Sequence, residues 1–165
     1  MKRFVTADIH GRFKALKEVL KLSKFDYAKD KLIILGDVVD GGINTYKVVE
    51  ELLKIKNLVF VMGNHDEFFM NHIASGWSEN VWIHQGGENT IKSYGGRVKV
   101  GKSIYEDSII TKNINIPVTH QDFFNRAVMY HIENEMLFVH GGIAPKKSIV
   151  EQDKHTLLYQ TAKVE

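Results

Sequence analysis

The chain contains no cysteine. This absence excludes disulfides, thiolate metal sites and cysteine nucleophiles, so any metal must be held by oxygen atoms and imidazole nitrogens. A strong charge imbalance is also missing: the net charge of +2 is too small to indicate a nucleic-acid or membrane partner. The apolar runs are too short to cross a bilayer.

The sequence shows no signal peptide, internal repeat or low-complexity tract. Its first residues lead directly into an apolar run, which predicts a cytoplasmic protein in a cell or a phage-infected host. A chain of 165 residues fits one domain, predicted to span residues 1–165. The apolar share of 44% and the charged share of 25% are typical of a globular protein.

Apolar runs alternate with amphipathic segments over the first 62 residues. The runs at residues 3–7, 31–35 and 58–62 predict strands, and apolar residues recur at helical spacing in residues 13–22 and 46–55. This order predicts an α/β fold with right-handed crossovers and a mostly parallel, buried sheet. In such sheets ligands bind beyond the carboxyl ends of the strands.

The pattern is less regular after residue 66. Residues 67–75 predict a helix, residues 77–94 a helical insertion and residues 117–126 a further helix. Residues 127–132 and 136–139 predict a hairpin that begins a second sheet.

Four short motifs each follow a predicted strand. They are DIHG at residues 8–11, GDVVDG at 36–41, GNHD at 63–66 and HGG at 140–142. We expect them to converge at one edge of the sheet. Their carboxylate, amide and imidazole groups suit two metal ions that clamp the oxygens of a phosphate ester.

The residue types suggest a role for each position. Asp8 and His10 share a face of an extended segment and would bind one ion together. Asp37 is the natural bridging carboxylate, because it ends the neighbouring strand. Asn64 and His140 offer an amide oxygen and an imidazole nitrogen to the second ion.

A second set of residues would handle protons and substrate. His65 is the candidate general acid, which gives a proton to the leaving oxygen. Asp40 is its candidate orienting partner. Arg12 is a candidate phosphate contact, with a solvated residue at a helix start as the alternative. Asn64 is also a candidate substrate-binding residue.

These motifs resemble those of the calcineurin-like metallophosphoesterases, specifically the phosphoprotein-phosphatase branch. Bacterial and phage serine/threonine phosphatases and symmetrical diadenosine tetraphosphatases are the most similar members. The likeness extends to WIHQGGENT at residues 82–90, FVHGGIAP at 138–145, and the residues EQ at 151–152 and LLY at 157–159. It therefore covers essentially the whole chain.

The resemblance implies a two-sheet sandwich flanked by helices and a site with two divalent ions. A hydroxide held between the ions would attack phosphorus in line. Manganese is the expected metal, with iron or zinc as alternatives, because oxygen and imidazole ligands suit all three. The implied ligands are Asp8, His10, Asp37, Asn64 and His140, and the implied acid pair is His65 with Asp40.

The sequence departs from the family pattern in two ways. Gly41 stands where the family has an arginine that holds phosphate, and losing that donor should weaken substrate binding. A later glycine-histidine-threonine motif, which supplies another ligand, is absent from these 165 residues. We therefore expect that the second sheet could be cut short, with a second copy or a partner chain covering its edge.

Three functions remain open from the sequence. The favoured one is a metal-dependent phosphomonoester hydrolase of the serine/threonine-phosphatase type, acting on a phosphorylated protein. The second is hydrolysis of a dinucleoside tetraphosphate or another nucleotide. The third is a catalytically impaired fragment or binding module on the same scaffold.

Several other residues are assigned ordinary structural roles. His72 and His84 are predicted to lie on the surface, and His120 to be one of the polar residues common where a helix begins. Trp77 and Trp82 are predicted to be packing residues.

Overall fold

The computed structural model describes residues 1–76, 78–99, 109–111 and 114–160. It is a mixed α/β structure, as predicted. A three-stranded sheet has helices packed on one face and a β-hairpin on the other. In these described ranges, no helix combines the length and the hydropathy needed to span a bilayer.

The central sheet contains three parallel strands in the order β1-β2-β3. These are β1 (Arg3–Thr6), β2 (Lys31–Leu35) and β3 (Asn57–Val61), connected by helices α1 (Phe13–Leu22) and α2 (Thr45–Leu52). A parallel pair needs a crossover of about a dozen residues or more, and each helix lies within one. The predicted alternation of strands and helices is confirmed.

Alternate residues of β2 and β3 point to opposite faces of the sheet, and side chains of these two strands are buried on both faces. Leu32 and Phe60 pack into the large core beneath the helices. Ile33 and Val61 pack into a smaller cluster with Phe138 on the other face. This two-sided burial explains why β2 reads as a continuous apolar run instead of an alternating one.

A helical region follows β3. The predicted helical insertion is confirmed for residues 80–93, whereas Trp77 lies outside the described residues. The region consists of α3 (Asn64–Ser75), α4 (Asn80–Trp82), a π-helical turn (Ile83–Gly87) and α5 (Glu88–Ser93).

Two short strands and another helix complete the helical side. Strands β4 (Arg97–Lys99) and β5 (Ile109–Thr111) pair antiparallel. Helix α6 (Val118–Asn125) confirms the helix predicted over residues 117–126. It contributes Phe123 and Phe124 to the core.

The second layer is a hairpin of β6 (His131–Glu133) and β7 (Met136–Phe138). The predicted hairpin is confirmed, but its first arm begins at His131 and not at Ala127. Val128 instead forms a parallel bridge with Val61 of β3, and the chain then turns before β6 begins. A run of apolar residues cannot reveal which of two sheets each residue joins.

The C-terminal part of the described chain contains a 3-10 turn (Ile149–Glu151) and helix α7 (Lys154–Tyr159). Helix α7 is attached to α3, because Tyr159 Oη donates to Glu67 at 2.8 Å and Lys154 forms an ion pair with the same carboxylate. Among the described residues, the second layer contains two strands.

Candidate metal centre

The four motifs meet at the carboxyl ends of the strands. The loop after β1 lies against the loop after β2, where Asp8 N–H donates to Gly36 O at 3.2 Å and His10 N–H donates to Asp37 O at 2.9 Å. The loop after β7 brings in His140, whose ring contacts Asn64 after β3. Residues far apart in the sequence thus share one site.

Four residues of this site have left-handed backbone conformations. The φ angles are 49° at Asp8, 45° at His10, 55° at Asp37 and 71° at Asp40. Such angles are uncommon outside glycine, although aspartate and histidine adopt them more readily than most residues. The prediction that Asp8 and His10 lie on an extended segment is therefore wrong, and backbone strain of this kind is typical of functional sites.

Glycines permit the close approach of these loops. A Cβ atom on Gly36 would lie 2.5 Å from Gly63 Cα and 2.6 Å from His140 Nδ1, and Gly36 also has a φ of 78°. A Cβ atom on Gly63 would overlap the Asp37 carboxylate. Any larger residue at either position would push the loops apart.

Asp37 lies at the centre of the site and is 5% exposed. Its Oδ2 is 3.7 Å from His10 Nε2, and its Oδ1 is 3.6 Å from His140 Nε2. Within the described residues, these two imidazoles are its ion-pair contacts, so no lysine or arginine of those ranges neutralises it. A buried carboxylate without such compensation favours a bound cation.

Both histidines are oriented through their other ring nitrogen. Nδ1 of His10 lies 2.9 Å from Val39 O, and Nδ1 of His140 lies 2.7 Å from Leu35 O. A carbonyl can only accept, so each Nδ1 carries a hydrogen, and Nε2 is the ring nitrogen that faces the Asp37 carboxylate. This is the arrangement that metal-binding histidines use.

Two groups of side chains have the separations needed to hold an ion. One group is His10, Asp37 and His65, and the other is Asp8, Asp37 and His140; within each group the ligand atoms lie within 4.8 Å of one another. Asp37 belongs to both groups. This set of oxygen and imidazole donors fits divalent cations.

Asn64 lies beside the second group, because its Oδ1 is 3.0 Å from His140 Nε2. The grouping differs in two respects from the sequence-based assignment, in which His65 was the general acid and not a ligand. Asp8 is grouped with His140, and His10 with His65, whereas Asp8 and His10 were expected to share an ion. The set of five ligands stays a prediction.

His140 is held in place by the C-terminal helix. Gly141 N–H donates to Leu157 O at 2.7 Å, and Gly142 N–H donates to Thr156 O at 3.1 Å. Since α7 is bonded to α3, the loop of His140 and the helix that begins at Asn64 are fixed relative to each other.

Asp66 supports the site from below and is fully buried. Its carboxylate accepts the backbone N–H groups of Asp37 (2.7 Å), Val38 (3.0 Å) and Gly63 (3.0 Å). Burial and the charge of Asp37 raise the pKa of Asp66 to about 7, while these backbone donors act in the opposite direction. Asp66 thereby ties together the loops after β2 and β3.

His65, a member of the first group, also forms a close pair with Asp40. His65 Nδ1 lies 2.6 Å from Asp40 Oδ2, and Asp40 is fully buried. Burial alone would lower the pKa of His65, but the hydrogen bond to Asp40 and the charge of Asp37 outweigh it and raise that pKa. The pair therefore favours a protonated imidazole.

Arg12 lies just before α1 and is exposed. It lines a cleft between β1 and α1 together with Asp8. It is thus close enough to the first motif to remain a candidate phosphate contact.

The remaining histidines lie in different settings. His72 is buried, where its Nδ1 lies 3.0 Å from Ser78 Oγ, so the prediction of a surface position is wrong. His120 is fully buried in α6 between Tyr94 Oη (2.9 Å) and Glu50 Oε1 (2.7 Å). His84 is exposed, as predicted.

Sequence reasoning assigned no role at the site to three residues that contact it. Asp66 organises the backbone around Asp37, and Trp82 and Thr90 contact Asp40. Trp82 is buried, as predicted for a packing residue. All three lie in the GNHD and WIHQGGENT motifs, so the motifs marked these residues but did not indicate which groups they contact.

Known proteins are similar to this chain in sequence and in fold. The model of the family described as calcineurin-like phosphoesterase matches residues 1–163. A symmetrical bis(5'-nucleosyl)-tetraphosphatase of Buchnera aphidicola (subsp. Schizaphis graminum) is 28% identical over 158 residues, which cover 95% of this chain and 50% of that protein. Where most of this chain is matched, it spans about half the length of the curated relative.

Solved structures show the same fold at lower identity. A crystal structure of a candidate diadenosine tetraphosphatase has a TM-score of 0.66 at 17% identity, covering 94% of this chain and 57% of the other. A protein serine/threonine phosphatase of Saccharomyces cerevisiae has a TM-score of 0.55 at 19% identity, covering 97% and 44%. With the family model matched over residues 1–163, these similarities show that the chain belongs to the calcineurin-like phosphoesterase family.

Proposed function

We propose that this chain is a metal-dependent hydrolase of phosphate esters or anhydrides. The observation that carries the proposal is the sharing of Asp37 between two possible metal-binding groups, one of which includes His65 of the His65–Asp40 pair. A site of this kind can hold a phosphoryl group next to a proton donor.

We propose two divalent cations as cofactors, with manganese first and iron or zinc as alternatives. Asp8, His10, Asp37, Asn64 and His140 would hold them. When bound, such ions supply Lewis-acid stabilisation of the phosphoryl oxygens and a nucleophile at neutral pH.

The chain's own residues would complete the reaction. Water supplies the oxygen that phosphorus gains, and the bond from phosphorus to the leaving oxygen breaks. His65 gives a proton to that leaving oxygen, so the product departs as a neutral alcohol or a less charged phosphate. Asp40 holds the imidazole in position, and Arg12 is close enough to contact a substrate phosphate.

For the substrate, we propose a symmetrical dinucleoside tetraphosphate as the first candidate. The support comes from the curated relatives, which are named symmetrical bis(5'-nucleosyl)-tetraphosphatases. A phosphorylated protein is the second candidate, because the sequence motifs resemble the phosphoprotein-phosphatase branch and one structural neighbour is a protein serine/threonine phosphatase.

A substrate panel tests this proposal. The purified chain, with Mn²⁺, is given diadenosine tetraphosphate, a phosphoserine peptide or p-nitrophenyl phosphate, and the Asp37→Asn variant is assayed alongside. We expect Mn²⁺-dependent turnover that is lost in the variant, with diadenosine tetraphosphate yielding ADP as the product of symmetrical cleavage. Turnover confined to the phosphopeptide would select the second substrate.

The same panel distinguishes the binding-module alternative. A folded chain that binds Mn²⁺ without hydrolysing any of the three substrates would contradict the proposed enzyme. Circular dichroism of the wild type and of Asp37→Asn shows whether both proteins are folded.

A further inference from the structure

The carboxylate of Asp40 has more donors than a His–Asp pair alone requires. Its Oδ2 accepts the indole N–H of Trp82 at 2.7 Å in addition to its contact with His65. Its Oδ1 accepts the hydroxyl of Thr90 at 2.7 Å. The side chains of Asp40, Trp82 and Thr90 are all fully buried, so water does not compete for these bonds.

The hydrogen positions in this cluster follow from the chemistry of each donor. An indole N–H can only donate. The Thr90 oxygen accepts the backbone N–H of Asp40 at 2.8 Å, which leaves its own hydrogen directed at Oδ1. Both carboxylate oxygens of Asp40 are therefore acceptors, as an ionised carboxylate requires.

This arrangement determines the tautomer of His65. Its Nδ1 faces an ionised oxygen at 2.6 Å and must carry a hydrogen. The proton that the proposed reaction uses is consequently the one on Nε2. An orienting carboxylate that loses its position would allow the ring to rotate or to change tautomer.

The two additional donors come from a separate part of the fold. Trp82 ends α4 and Thr90 lies in α5, whereas the metal-binding residues follow the strands. The indole lies directly against Gly87, where a Cβ atom would come within 2.5 Å of the ring. Gly87 and the eight-residue separation of Trp82 and Thr90 thus allow both side chains to donate to the Asp40 carboxylate.

We propose that Trp82 and Thr90 are positioning residues for the proton-donating pair. They hold the Asp40 carboxylate in its orientation, so that His65 keeps its Nδ1 hydrogen toward Asp40 and its Nε2 toward the leaving oxygen. This inference deepens the proposed function and rests on it for its kinetic consequence.

The kinetic test compares two leaving groups. Phenyl phosphate releases a more basic oxygen than p-nitrophenyl phosphate, so its hydrolysis depends more on a general acid. For Thr90→Val and Trp82→Phe we expect kcat on phenyl phosphate to fall about 10- to 100-fold. The loss on p-nitrophenyl phosphate should be smaller, with KM unchanged on both substrates.

Two variants serve as controls. Thr90→Ser keeps the hydroxyl and should recover most of the lost activity. Ser93→Ala, also on α5, removes a hydrogen bond to Tyr46 N (2.7 Å) without contacting Asp40, and should leave both kcat values unchanged. Equal losses on the two substrates, or failure of Thr90→Ser to recover activity, would overturn the positioning role.

A measurement without turnover separates this inference from the proposed function. In proton NMR of the metal-free protein, His65 Nδ1–H should give a protected downfield signal, assigned by its loss in His65→Asn. We expect the signal to persist in Thr90→Ser and to shift or disappear in Thr90→Val. If wild type shows this pattern without hydrolysing any substrate, the proposed function is wrong and the positioning role stands. If the signal is the same in wild type and Thr90→Val, the positioning role is wrong.

Discussion

Asp37 is the residue shared by both groups of possible metal ligands. Its two oxygens face the Nε2 atoms of two different histidines, and its backbone N–H donates to Asp66. A buried carboxylate in such a position is costly unless a cation accompanies it. Asp37 and three further residues of the site have left-handed backbone conformations, and such strain is typical of functional sites.

The proposed proton-donating role of His65 leads to a prediction for the His65→Asn variant. Asparagine keeps a polar side chain but has no proton to transfer, so kcat on phenyl phosphate should fall about 10²- to 10⁴-fold. The metal content should stay at the wild-type level. Steady-state kinetics and elemental analysis of the same preparations check both parts, and turnover equal to wild type would rule out His65 as the acid.

The structural role of Asp66 gives a prediction about stability. In Asp66→Asn one acceptor oxygen is replaced by an NH₂ group that faces backbone donors. The free energy of unfolding at pH 8 should fall by about 2–3 kcal/mol. Urea unfolding measures this change.

A matched variant shows whether burial is the cause. Asp26 also accepts backbone N–H groups, those of Ala28 (2.9 Å) and Lys29 (3.2 Å), but it lies on the surface. Asp26→Asn should change the free energy of unfolding by less than about 0.5 kcal/mol. Equal effects of the two variants would contradict the account of Asp66.

At the scale of elements, helix α2 is joined to its neighbours through Glu51. This buried carboxylate accepts Lys17 Nζ of α1 at 2.8 Å, Tyr27 Oη at 2.6 Å and Lys54 Nζ at 2.7 Å. Burial would raise the pKa of Glu51, but the hydrogen bonds from Lys17, Lys54 and Tyr27 outweigh it and lower that pKa to about 2.

This lowered pKa predicts a pH-dependent stability. The stabilisation from Glu51 is fully present above the ordinary glutamate pKa of 4.5 and is lost as the pH falls toward about 2. Glu51→Gln should therefore lower the free energy of unfolding by about 2–4 kcal/mol at pH 7. The difference from wild type should shrink steadily below pH 4.5.

Urea unfolding at several pH values measures this effect. Glu88→Gln is the control, because Glu88 forms an exposed pair with Lys92 at 2.6 Å on a single helix. That variant should change the free energy by less than about 1 kcal/mol. A Glu51→Gln difference that stays constant down to pH 2 would contradict the assignment.

The elements themselves were largely predictable from local patterns. Strands β1 to β3 follow from apolar runs, and helices α1 and α2 follow from apolar residues at helical spacing. These patterns are local because each helix buries one face and β2 buries both. The hairpin was only half predicted, since Val128 pairs with β3 before the chain enters β6. Pairing between distant segments is a tertiary property that local sequence does not encode.

The same distinction applies within the site. The convergence of the four motifs could be predicted because each follows a strand and the strands end at one edge. The buried settings of His72 and His120 could not, since their partners Ser78 and Tyr94 are set by the helical region. The contacts of Trp82 and Thr90 with Asp40 likewise cross from α4 and α5 to the loop after β2.

At the scale of the whole molecule, the site depends on every layer. The sheet contributes three loops, the hairpin delivers His140, and α7 joins that loop to α3. The assignment of residues 1–165 to one domain stays a prediction. Two curated relatives match this chain along most of its length, and the chain covers about half of each relative. The metal content of these 165 residues therefore has to be measured on this chain itself.

Metal stoichiometry tests that question most directly. Isothermal titration of the purified chain with Mn²⁺ should give two ions bound per chain, since two groups of ligands share Asp37. Asp37→Asn should abolish this binding, while Asp26→Asn, which changes a surface carboxylate in the same way, should retain it. Two ions in wild type, lost only in Asp37→Asn, is the predicted result. No binding to the folded wild-type chain, or unchanged binding in Asp37→Asn, would contradict a dinuclear centre built on Asp37.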